Sequence, residues 1–388
     1  MSDLMLQLQA AAASGDPDAQ FRLGLALMRN GDAPRARAWY QRAANSGVME
    51  AQRELALLQL FGIGVDQSAD EALALLSRCA DAGDSDARYW LGRRGLSVGD
   101  PDEVREAIAL LELAAASGHR RSTRALALVR ASLGDTEAAR SMLTASSSAG
   151  DLHGAALLQA LEESVPPSKA IRGDQPAGPN APGFDVRPPV VINESPYVAI
   201  ADDVLSPVDC VHLIELARAA TLRPALTVHP QNAQLVRNEL RTSSSSSIEA
   251  FHEDPWAVWL QRRLCRLFGA DLASAEPLAV LHYAPGQEYR PHRDYLQPSS
   301  LTSPDGKRGG QRTHTVFVYL NDVAAGGETA FPQLDITIKP QRGRAVLFSN
   351  VTQDGQPDPR TLHAGCPVIE GEKWLATLWL RERPVRTV

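Results

Sequence analysis

The chain has 388 residues, of which 44% are hydrophobic and 22% are charged. This composition supports a sizeable core and argues against global disorder. The net charge is 39 − 46 = −7, which argues against a nucleic-acid-binding protein, because such proteins usually present a basic face. Residues 1–163 hold 16 arginines, no lysine and 22 acidic residues, so they carry 16 − 22 = −6 of this charge. Because nearly all of the acidic excess lies in residues 1–163, we expect two regions that differ in composition.

The sequence contains no apolar run of the roughly 18 residues that a transmembrane helix needs. Its first residues include Asp3 and no basic stretch, so we expect neither a signal peptide nor a membrane partner. The four cysteines are scattered, without a CxxC pair. We therefore expect reduced thiols and a cytoplasmic location.

Residues 11–155 contain an internal repeat, in which small residues and a glycine precede alanines and leucines at helical spacing. Successive anchoring glycines are 32, 36, 35 and 32 residues apart, which leaves room for two helices of about 12 residues in each unit. Each glycine would end one helix, and a nearby Asp or Ser would cap the next. The anchoring glycines are Gly15, Gly47, Gly83, Gly118 and Gly150.

This pattern resembles the Sel-one-like subclass of tetratricopeptide repeats. The resemblance predicts an all-α helical-repeat solenoid over residues 1–163, and such arrays usually bind a protein segment on a concave face. The alternative is that the repeats only solubilise or dimerise the protein.

Residues 164–189 hold seven of the 26 prolines and are predicted to form an extended linker. The second domain, residues 190–388, opens with a predicted strand and then a helix. Ser206 is placed to cap this helix, and Pro207 fits its first turn.

From Ala279 onward the pattern changes to short strands separated by Gly, Pro and Asp turns. Eight such strands at this spacing predict a jelly roll, that is, a double-stranded β-helix with flanking helices. The predicted strands are VLHY, QEYRPH, THTVFVYL, GETAF, DITIK, RAVLF, LHAGCP and KWLATLWLRE.

His292 and Asp294 are two residues apart on a predicted strand, so their side chains share a face. His363 lies on a later strand that a jelly roll could bring alongside. Two histidines and one carboxylate are the facial triad for non-haem Fe(II). A structural zinc site is the alternative, but such sites prefer Cys/His sets at short spacings. Lys373 strengthens the prediction of an Fe(II) site and adds a co-substrate to it, because a buried ammonium there could pair with the distal carboxylate of 2-oxoglutarate.

The segments HYAPGQEYRPHRDY, QRTHTVFVYLNDVAAGGETAFP, KPQRGRAVLFSN and DPRTLHAGCPVIEGEKW resemble the catalytic domain of the prolyl 4-hydroxylase family of Fe(II)/2-oxoglutarate dioxygenases. The resemblance implies that the three ligands named above are catalytic and hold the metal. It implies that 2-oxoglutarate is held by Lys373, Tyr283, Tyr319 and Thr377, and that Arg312 and Arg241 lie near the peptide site.

The implied reaction uses Fe(II), 2-oxoglutarate, O2 and, in many members of the family, ascorbate. We expect the client to be a protein or peptide recruited by the repeats, while the sequence leaves the oligomeric state open. A hydroxylase of a free amino acid or other small molecule, and an inactive binding scaffold, stay open as alternatives. Residues 229–250 and 297–310 would decide the substrate, and the second segment is predicted to be a lid.

Several other residues of the second domain are predicted to have structural roles and not to bind the metal or the substrate. His282 and His314 are predicted to be structural and not ligands. Trp374 and Trp379 are predicted to lie in the core, and the pair Gly326–Gly327 is predicted to form a tight turn.

Overall fold

The computed structural model describes residues 3–98, 100–164, 188–220, 222–224, 227–228, 235–236, 241–246 and 254–385. The chain divides into two compact units. The first comprises Met1–Gly95 and Asp102–Leu126, and the second comprises Leu96–Pro101 and Ala127–Val388. Nearly all of the predicted linker, residues 164–189, lies outside the described residues.

The N-terminal region is all helical, as predicted. None of its described helices, nor any other described helix, is long and apolar enough to cross a membrane. The ten helices described here are α1 (Asp3–Ala13), α2 (Pro17–Arg29), α3 (Ala33–Asn45), α4 (Met49–Phe61), α5 (Ala69–Asp81), α6 (Ser85–Val98), α7 (Pro101–Ala116), α8 (Arg120–Ser132), α9 (Thr136–Ser148) and α10 (Leu152–Ser164).

Glycine turns and aspartate caps set the helix boundaries. The five anchoring glycines all have positive φ, between +80° and +101°, and a Cβ at any of them would meet nothing within 4 Å. The left-handed backbone, and not lack of space, therefore requires glycine there. Asp16 caps α2 by accepting hydrogen bonds from the amides of Asp18 and Ala19, as the sequence pattern predicts.

Small residues let the repeat helices pack closely. Gly24 lies against the buried ring of Tyr40, and a Cβ at Gly24 would come within 2.4 Å of the Tyr40 ring. Alanines complete this core, so neighbouring helices approach without bulky side chains between them. Its buried residues are Ala12, Ala19, Leu23, Leu27, Ala36, Tyr40, Ala43, Ala51 and Leu58.

The described residues of the second unit after residue 188 form four more α-helices: α11 (Pro207–Ala219), α12 (Pro255–Arg266), α13 (Pro298–Leu301) and α14 (Pro304–Gly309). The predicted cap of α11 is confirmed as a reciprocal capping box. Ser206 Oγ accepts from the Asp209 amide at 3.2 Å, and Asp209 Oδ2 accepts from the Ser206 amide at 2.9 Å. Helices α13 and α14 occupy the predicted lid segment, residues 297–310.

The described part of the second unit contains sixteen strands. They are β1 (Val190–Glu194), β2 (Tyr197–Ala201), β3 (Arg223–Pro224), β4 (Thr227–Val228), β5 (Leu235–Val236), β6 (Ser244–Ser245), β7 (Ala279–Tyr283), β8 (Tyr289–His292), β9 (Arg312–Tyr319), β10 (Ala325–Gly326), β11 (Thr329–Phe331), β12 (Ile336–Ile338), β13 (Ala345–Ser349), β14 (His363–Gly365), β15 (Val368–Glu370) and β16 (Lys373–Arg381).

Four of these strands form the two-stranded sheets β4-β5 and β10-β15, and the other twelve form two larger antiparallel sheets. One has the order β1-β2-β13-β9-β16-β7-β6-β3 and the other has the order β12-β11-β14-β8, which is the predicted double-stranded β-helix. All eight predicted strands are present, as β7, β8, β9, β11, β12, β13, β14 and β16. The single strand predicted after residue 190 is instead a hairpin, β1 and β2, which turns at Ser195–Pro196.

The core of this unit contains residues from both sheets. Phe331 of the smaller sheet meets Phe348 of the larger one edge to face, with ring centroids 5.3 Å apart. Strand β16 is paired on both sides, with β7 and β9, and eight of its nine residues are buried. A polar side chain on β16 is therefore enclosed by the fold.

Candidate active site

The three predicted metal ligands lie together. Strands β8 and β14 are neighbours, and His363 is paired directly with His292. His292 Nε2 is 3.7 Å from Asp294 Oδ1, and His363 Nε2 is 3.8 Å from Asp294 Oδ2. All three ligand atoms lie within 4.8 Å of one another, so one ion could contact all of them.

Hydrogen bonds to the main chain select the free nitrogen of each histidine. His292 Nδ1 donates to the Arg290 carbonyl at 2.9 Å, and His363 Nδ1 donates to the Thr361 carbonyl at 3.0 Å. Each Nε2 therefore keeps its lone pair, and it faces Asp294. Burial and the neighbouring His363 lower the pKa of His292 to about 3, so this ring is neutral, as a ligand must be.

Two buried hydrogen bonds in series hold the Asp294 carboxylate. Thr315 Oγ1 donates to Asp294 Oδ2 at 2.8 Å, and Asn350 Nδ2 donates to Thr315 Oγ1 at 2.9 Å. Burial by itself would raise the pKa of Asp294, but His363, His292, Arg312 and the Thr315 hydrogen bond outweigh it, and the pKa is lowered. Two imidazoles and one carboxylate fit Fe(II), and among the described residues no thiol joins this cluster.

Two neighbours of His292 were not predicted to act together with it. The Tyr289 ring is stacked on His292, with centroids 3.4 Å apart and planes 13° apart. The Arg241 guanidinium lies 4.8 Å from the Tyr289 ring centroid. Burial raises the pKa of Tyr289 to about 12, so this phenol stays neutral and braces the ligand. Its position on the ligand strand was the available sequence signal.

Lys373 is 1% exposed, and no carboxylate in the described part of the chain forms an ion pair with it. Its Nζ donates to the Gly327 carbonyl at 2.7 Å and lies 5.2 Å from the Tyr283 ring centroid and 5.5 Å from that of Tyr319. Burial lowers the pKa of Lys373 to about 8. A buried ammonium without an anion is costly, so this site fits a carboxylate ligand.

The metal cluster and Lys373 line one cavity of about 50 Å³. Alternate residues of β16 supply one wall, because side chains two apart share a face of a strand. Thr377 and Arg241, both predicted from the sequence, are among the lining residues. These are Arg241, Leu281, Tyr283, Tyr289, His292, Asp294, Phe317, Thr329, His363, Gly365, Lys373, Leu375, Thr377 and Trp379.

Tyr319 is buried beside the cavity, and its predicted contact with 2-oxoglutarate stays a prediction. The Tyr319 hydroxyl is 2.7 Å from Thr329 Oγ1 and 3.3 Å from the Ile338 carbonyl, and Thr329, not Tyr319, lines the cavity. Tyr319 therefore positions Thr329, a candidate co-substrate contact that the sequence did not reveal. Its inward position on the strand GETAF was the only sequence signal.

Arg312 does not line the cavity. Its Nε and Nη2 donate to the two carboxylate oxygens of Glu276, at 2.7 and 2.6 Å, so its predicted contact with the peptide stays a prediction. Of the other residues considered, His282 pairs with Glu372 at 2.9 Å and His314 packs on Phe268 with ring centroids 4.5 Å apart. Neither is a ligand in this arrangement.

The remaining interpretations are partly confirmed. Gly326 and Gly327 both have positive φ, as a tight turn requires, and the Gly327 carbonyl also holds Lys373. Trp374 is buried in the core. Trp379, which was also predicted to lie in the core, is half-buried and lines the cavity. Most of residues 229–250, the first predicted substrate loop, lies outside the described residues.

Family models match both parts of the chain. Residues 278–381 match the model of the 2OG-Fe(II) oxygenase superfamily. Residues 17–48, 50–84 and 85–119 match the Sel1 repeat model.

Individual proteins are similar to each part. Prolyl 4-hydroxylase 1 of Arabidopsis thaliana is 35% identical over 209 residues, which cover 50% of this chain and 72% of that protein. The viral collagen prolyl hydroxylase of Paramecium Bursaria Chlorella virus-1, solved with 2OG, is 26% identical over 49% of this chain and 98% of its own, with a TM-score of 0.36. A Sel1 repeat protein from Oxalobacter formigenes is 27% identical over 40% of this chain and 48% of its own, with a TM-score of 0.33.

Proposed function

Because this chain belongs to the prolyl 4-hydroxylase family of 2OG-Fe(II) oxygenases, we propose that it hydroxylates prolyl residues of a protein or peptide that its helical repeats recruit. Fe(II), 2-oxoglutarate and O2 together supply the oxidation of a C–H bond, with succinate and CO2 as co-products. The observation that carries the proposal is one cavity lined by both the His292–Asp294–His363 cluster and the buried Lys373.

In this proposal each group of side chains has one task. The two Nε2 atoms and the Asp294 carboxylate hold the metal, and Thr315 fixes the carboxylate. Lys373, with Tyr283 beside it, orients the distal carboxylate of 2-oxoglutarate through a charge-assisted bond. Apolar lining residues keep water away and strengthen that bond. They are Leu281, Phe317 and Leu375.

The burial of the lining residues supports a macromolecular substrate. Lys373, Thr329 and Thr377 are buried at the closed part of the cavity, whereas Arg241 and Trp379 are only half-buried. The partly exposed side supports access by a peptide, and in this proposal Arg241 donates hydrogen bonds to peptide carbonyl groups there.

A groove in the first unit supports recruitment. It has a volume of about 250 Å³ and lies among α3, α4 and α5. Four amide side chains line it, and amides both donate and accept hydrogen bonds, which suits a peptide main chain. The lining residues are Arg37, Gln41, Ala44, Asn45, Gln52, Leu55, Leu58, Gln59, Val65 and Leu75.

Two further points of the proposal have separate support. The four cysteines are free thiols, which favours a reducing compartment such as the cytoplasm. Ascorbate is proposed as the reductant that restores iron after turnover without substrate, on the basis of family membership.

The first test is an anaerobic titration with Fe(II) and 2-oxoglutarate, monitored by the visible charge-transfer band, followed by O2 and a succinate assay with proline-containing peptides. We expect a band, and succinate formation stimulated by peptide together with hydroxyproline. His292→Ala should abolish both. A band with no stimulation by any peptide would contradict the peptide substrate and favour a small molecule. The absence of a band in the unmodified chain would contradict the oxygenase activity itself.

Recruitment is tested in the full chain with Gln52→Ala/Gln59→Ala, a change confined to the groove. We expect KM to rise for a long proline-rich peptide and to stay constant for a short one, with kcat unchanged for both. Equal KM values for the long peptide in the variant and the unmodified chain would contradict recruitment by the groove.

A further inference from the structure

A cluster of four charged side chains lies where β9 begins and β16 ends. It comprises Glu276, Asp305, Arg312 and Arg381, and we call it the Glu276 cluster. Arg312 makes the two-point contact with Glu276 described above, and Arg381 Nη1 donates to Glu276 Oε1 at 3.1 Å and to Asp305 Oδ2 at 2.9 Å. Glu276 therefore bonds both arginines.

The strand register explains why a carboxylate is needed there. Arg312 and Arg381 are paired residues of adjacent antiparallel strands, and like charges in that position repel each other. The Arg381 side chain is only 2% exposed and that of Arg312 is 21% exposed, so water screens them weakly. Glu276, itself 15% exposed, separates and neutralises the two cations. Without it, two buried positive charges would face each other.

The two arginines in turn hold the connection between β8 and β9, which carries Asp294. Arg312 Nη1 lies 3.5 Å from the Asp294 carbonyl oxygen. Arg381 Nη2 donates to the Gly310 carbonyl at 2.8 Å and to the Asp305 carbonyl at 3.3 Å. Within residues 293–311, Arg312 thus contacts Asp294, and Arg381 bonds Asp305 and Gly310.

Arg312 also contacts the cavity wall. Its guanidinium lies 4.1 Å from the ring centroid of Trp379, which lines the cavity, and this geometry is a cation–π contact. Because Glu276 occupies both Nε and Nη2 of Arg312, the Nε–Nη2 edge of this guanidinium is already used in a bidentate contact. The same guanidinium cannot offer that edge to a peptide without releasing Glu276.

We propose that Glu276 is a positioning residue: through Arg312 and Arg381 it holds residues 293–311, and with them the metal ligand Asp294, against the larger sheet. The consequence is tight metal retention and close coupling of 2-oxoglutarate consumption to substrate oxidation. The coupling part rests on the proposed function, whereas the order of residues 293–311 and the affinity for Fe(II) do not require a substrate.

The test compares Glu276→Gln with the unmodified full chain. In the metal-free protein we expect faster amide hydrogen exchange across residues 293–311. In the charge-transfer titration we expect Fe(II) affinity to fall about tenfold, the lower end of the effect of removing an outer-shell support. With peptide we expect more succinate per hydroxyproline. Glu276→Asp, which keeps the charge, should recover part of the loss, and the exposed Glu370→Gln should change none of these quantities.

Unchanged exchange and unchanged Fe(II) affinity in Glu276→Gln would overturn the proposal, and a raised peptide KM alone would instead assign Arg312 to the substrate. Should Glu276→Gln fail to fold, Glu276→Gln/Arg312→Gln removes one of the two facing cations. Restored folding with weak Fe(II) binding supports the proposal, and restored folding with normal Fe(II) binding overturns it. Absence of peptide hydroxylation in the unmodified chain would contradict the proposed function and leave the exchange and Fe(II) results valid.

Discussion

In this site, hydrogen bonds to the main chain decide which atom of each side chain is available to a ligand. The Nδ1 atoms of His292 and His363 are bonded to main-chain carbonyls, so only the Nε2 atoms are available to a metal. Lys373 has a main-chain carbonyl but no carboxylate among its described partners, so it is available to an anion. In each case a hydrogen bond to the main chain orients the imidazole or ammonium group and leaves it able to bind its ligand.

Thr315→Val tests the support of Asp294. Valine has nearly the same shape but cannot donate to Asp294 Oδ2, so we expect Fe(II) affinity to fall about tenfold or more with little change in fold. The charge-transfer titration measures the affinity. Thr337→Val, an exposed change on β12, is the control, and equal affinities in the two variants would contradict the support role.

The pH dependence of 2-oxoglutarate binding tests Lys373. Its pKa in the ligand-free protein is lowered to about 8 by burial, so the ammonium loses its proton as the pH rises through that value. We expect 2-oxoglutarate affinity to fall above about pH 8, approaching a factor of about ten per pH unit. Lys373→Ala should bind weakly at every pH, and the exposed Lys339→Ala should behave like the unmodified chain. A flat profile in the unmodified chain would contradict the assignment.

At the scale of elements, register decides which side chains meet. The even numbers and the odd numbers of β16 lie on opposite faces, and the face with Lys373, Leu375, Thr377 and Trp379 lines the cavity. Pairing of Lys373 with Tyr283 on β7 fixes that register. A slip by one residue would turn this entire set away from the cavity, so the strand pairing itself specifies the co-substrate pocket.

In the helical repeats, the glycine turns between helices decide how consecutive elements are arranged. Gly83 has φ +101° and no atom within 4 Å of a Cβ placed on it, so Gly83→Ala adds backbone strain and no clash. We expect a loss of about 1 kcal/mol in the free energy of unfolding, measured by urea denaturation followed by helical circular dichroism. Ala82→Ser is the control, because three other repeats carry Ser at this place, Ser14, Ser46 and Ser117. An unchanged midpoint for Gly83→Ala would contradict the strain.

For the whole molecule, the division into compact units does not coincide with the end of the repeats. Helices α9 and α10 belong to the unit that contains the oxygenase sheets, and α10 packs on α11. His153 Nε2 lies 3.1 Å from His212 Nδ1, and His212 Nε2 lies 2.8 Å from Asp254 Oδ1. The last helix of a solenoid has an uncovered face, and α11 covers it here.

Two truncations test this packing. Removal of residues 1–126 leaves α9 and α10 in place, whereas removal of residues 1–164 uncovers α11. We expect the second truncation to lower the Tm of the oxygenase unit well below that of the first, because the apolar contact between α10 and α11 is lost. Equal Tm values by calorimetry would contradict the contribution of α10 and favour a boundary near residue 163.

Local sequence patterns were enough to predict most elements and the candidate ligands. Local interactions explain this success. They involve residues close in the chain, as in the regularly spaced glycines, the cap at Ser206 and the alternation of the strands, so the sequence alone predicts them. The hairpin at Ser195–Pro196 was missed because VVINESPYVAI is apolar on both sides of a very short turn. The set of His292, Asp294, His363 and Lys373 was predicted from its residue types, from the two-residue spacing on one strand and from the resemblance of the surrounding segments.

Hydrogen bonds between side chains that are distant in the sequence depend on the packing of the folded chain. Tyr319 with Thr329, Arg312 with Glu276, and His153 with His212 each join residues from different elements, and no local pattern relates them. The same holds for the packing of α10 with the oxygenase unit. These pairings follow from sheet order and helix packing, which depend on burying the whole chain at once, and they determine which groups stay free for the metal and the co-substrate.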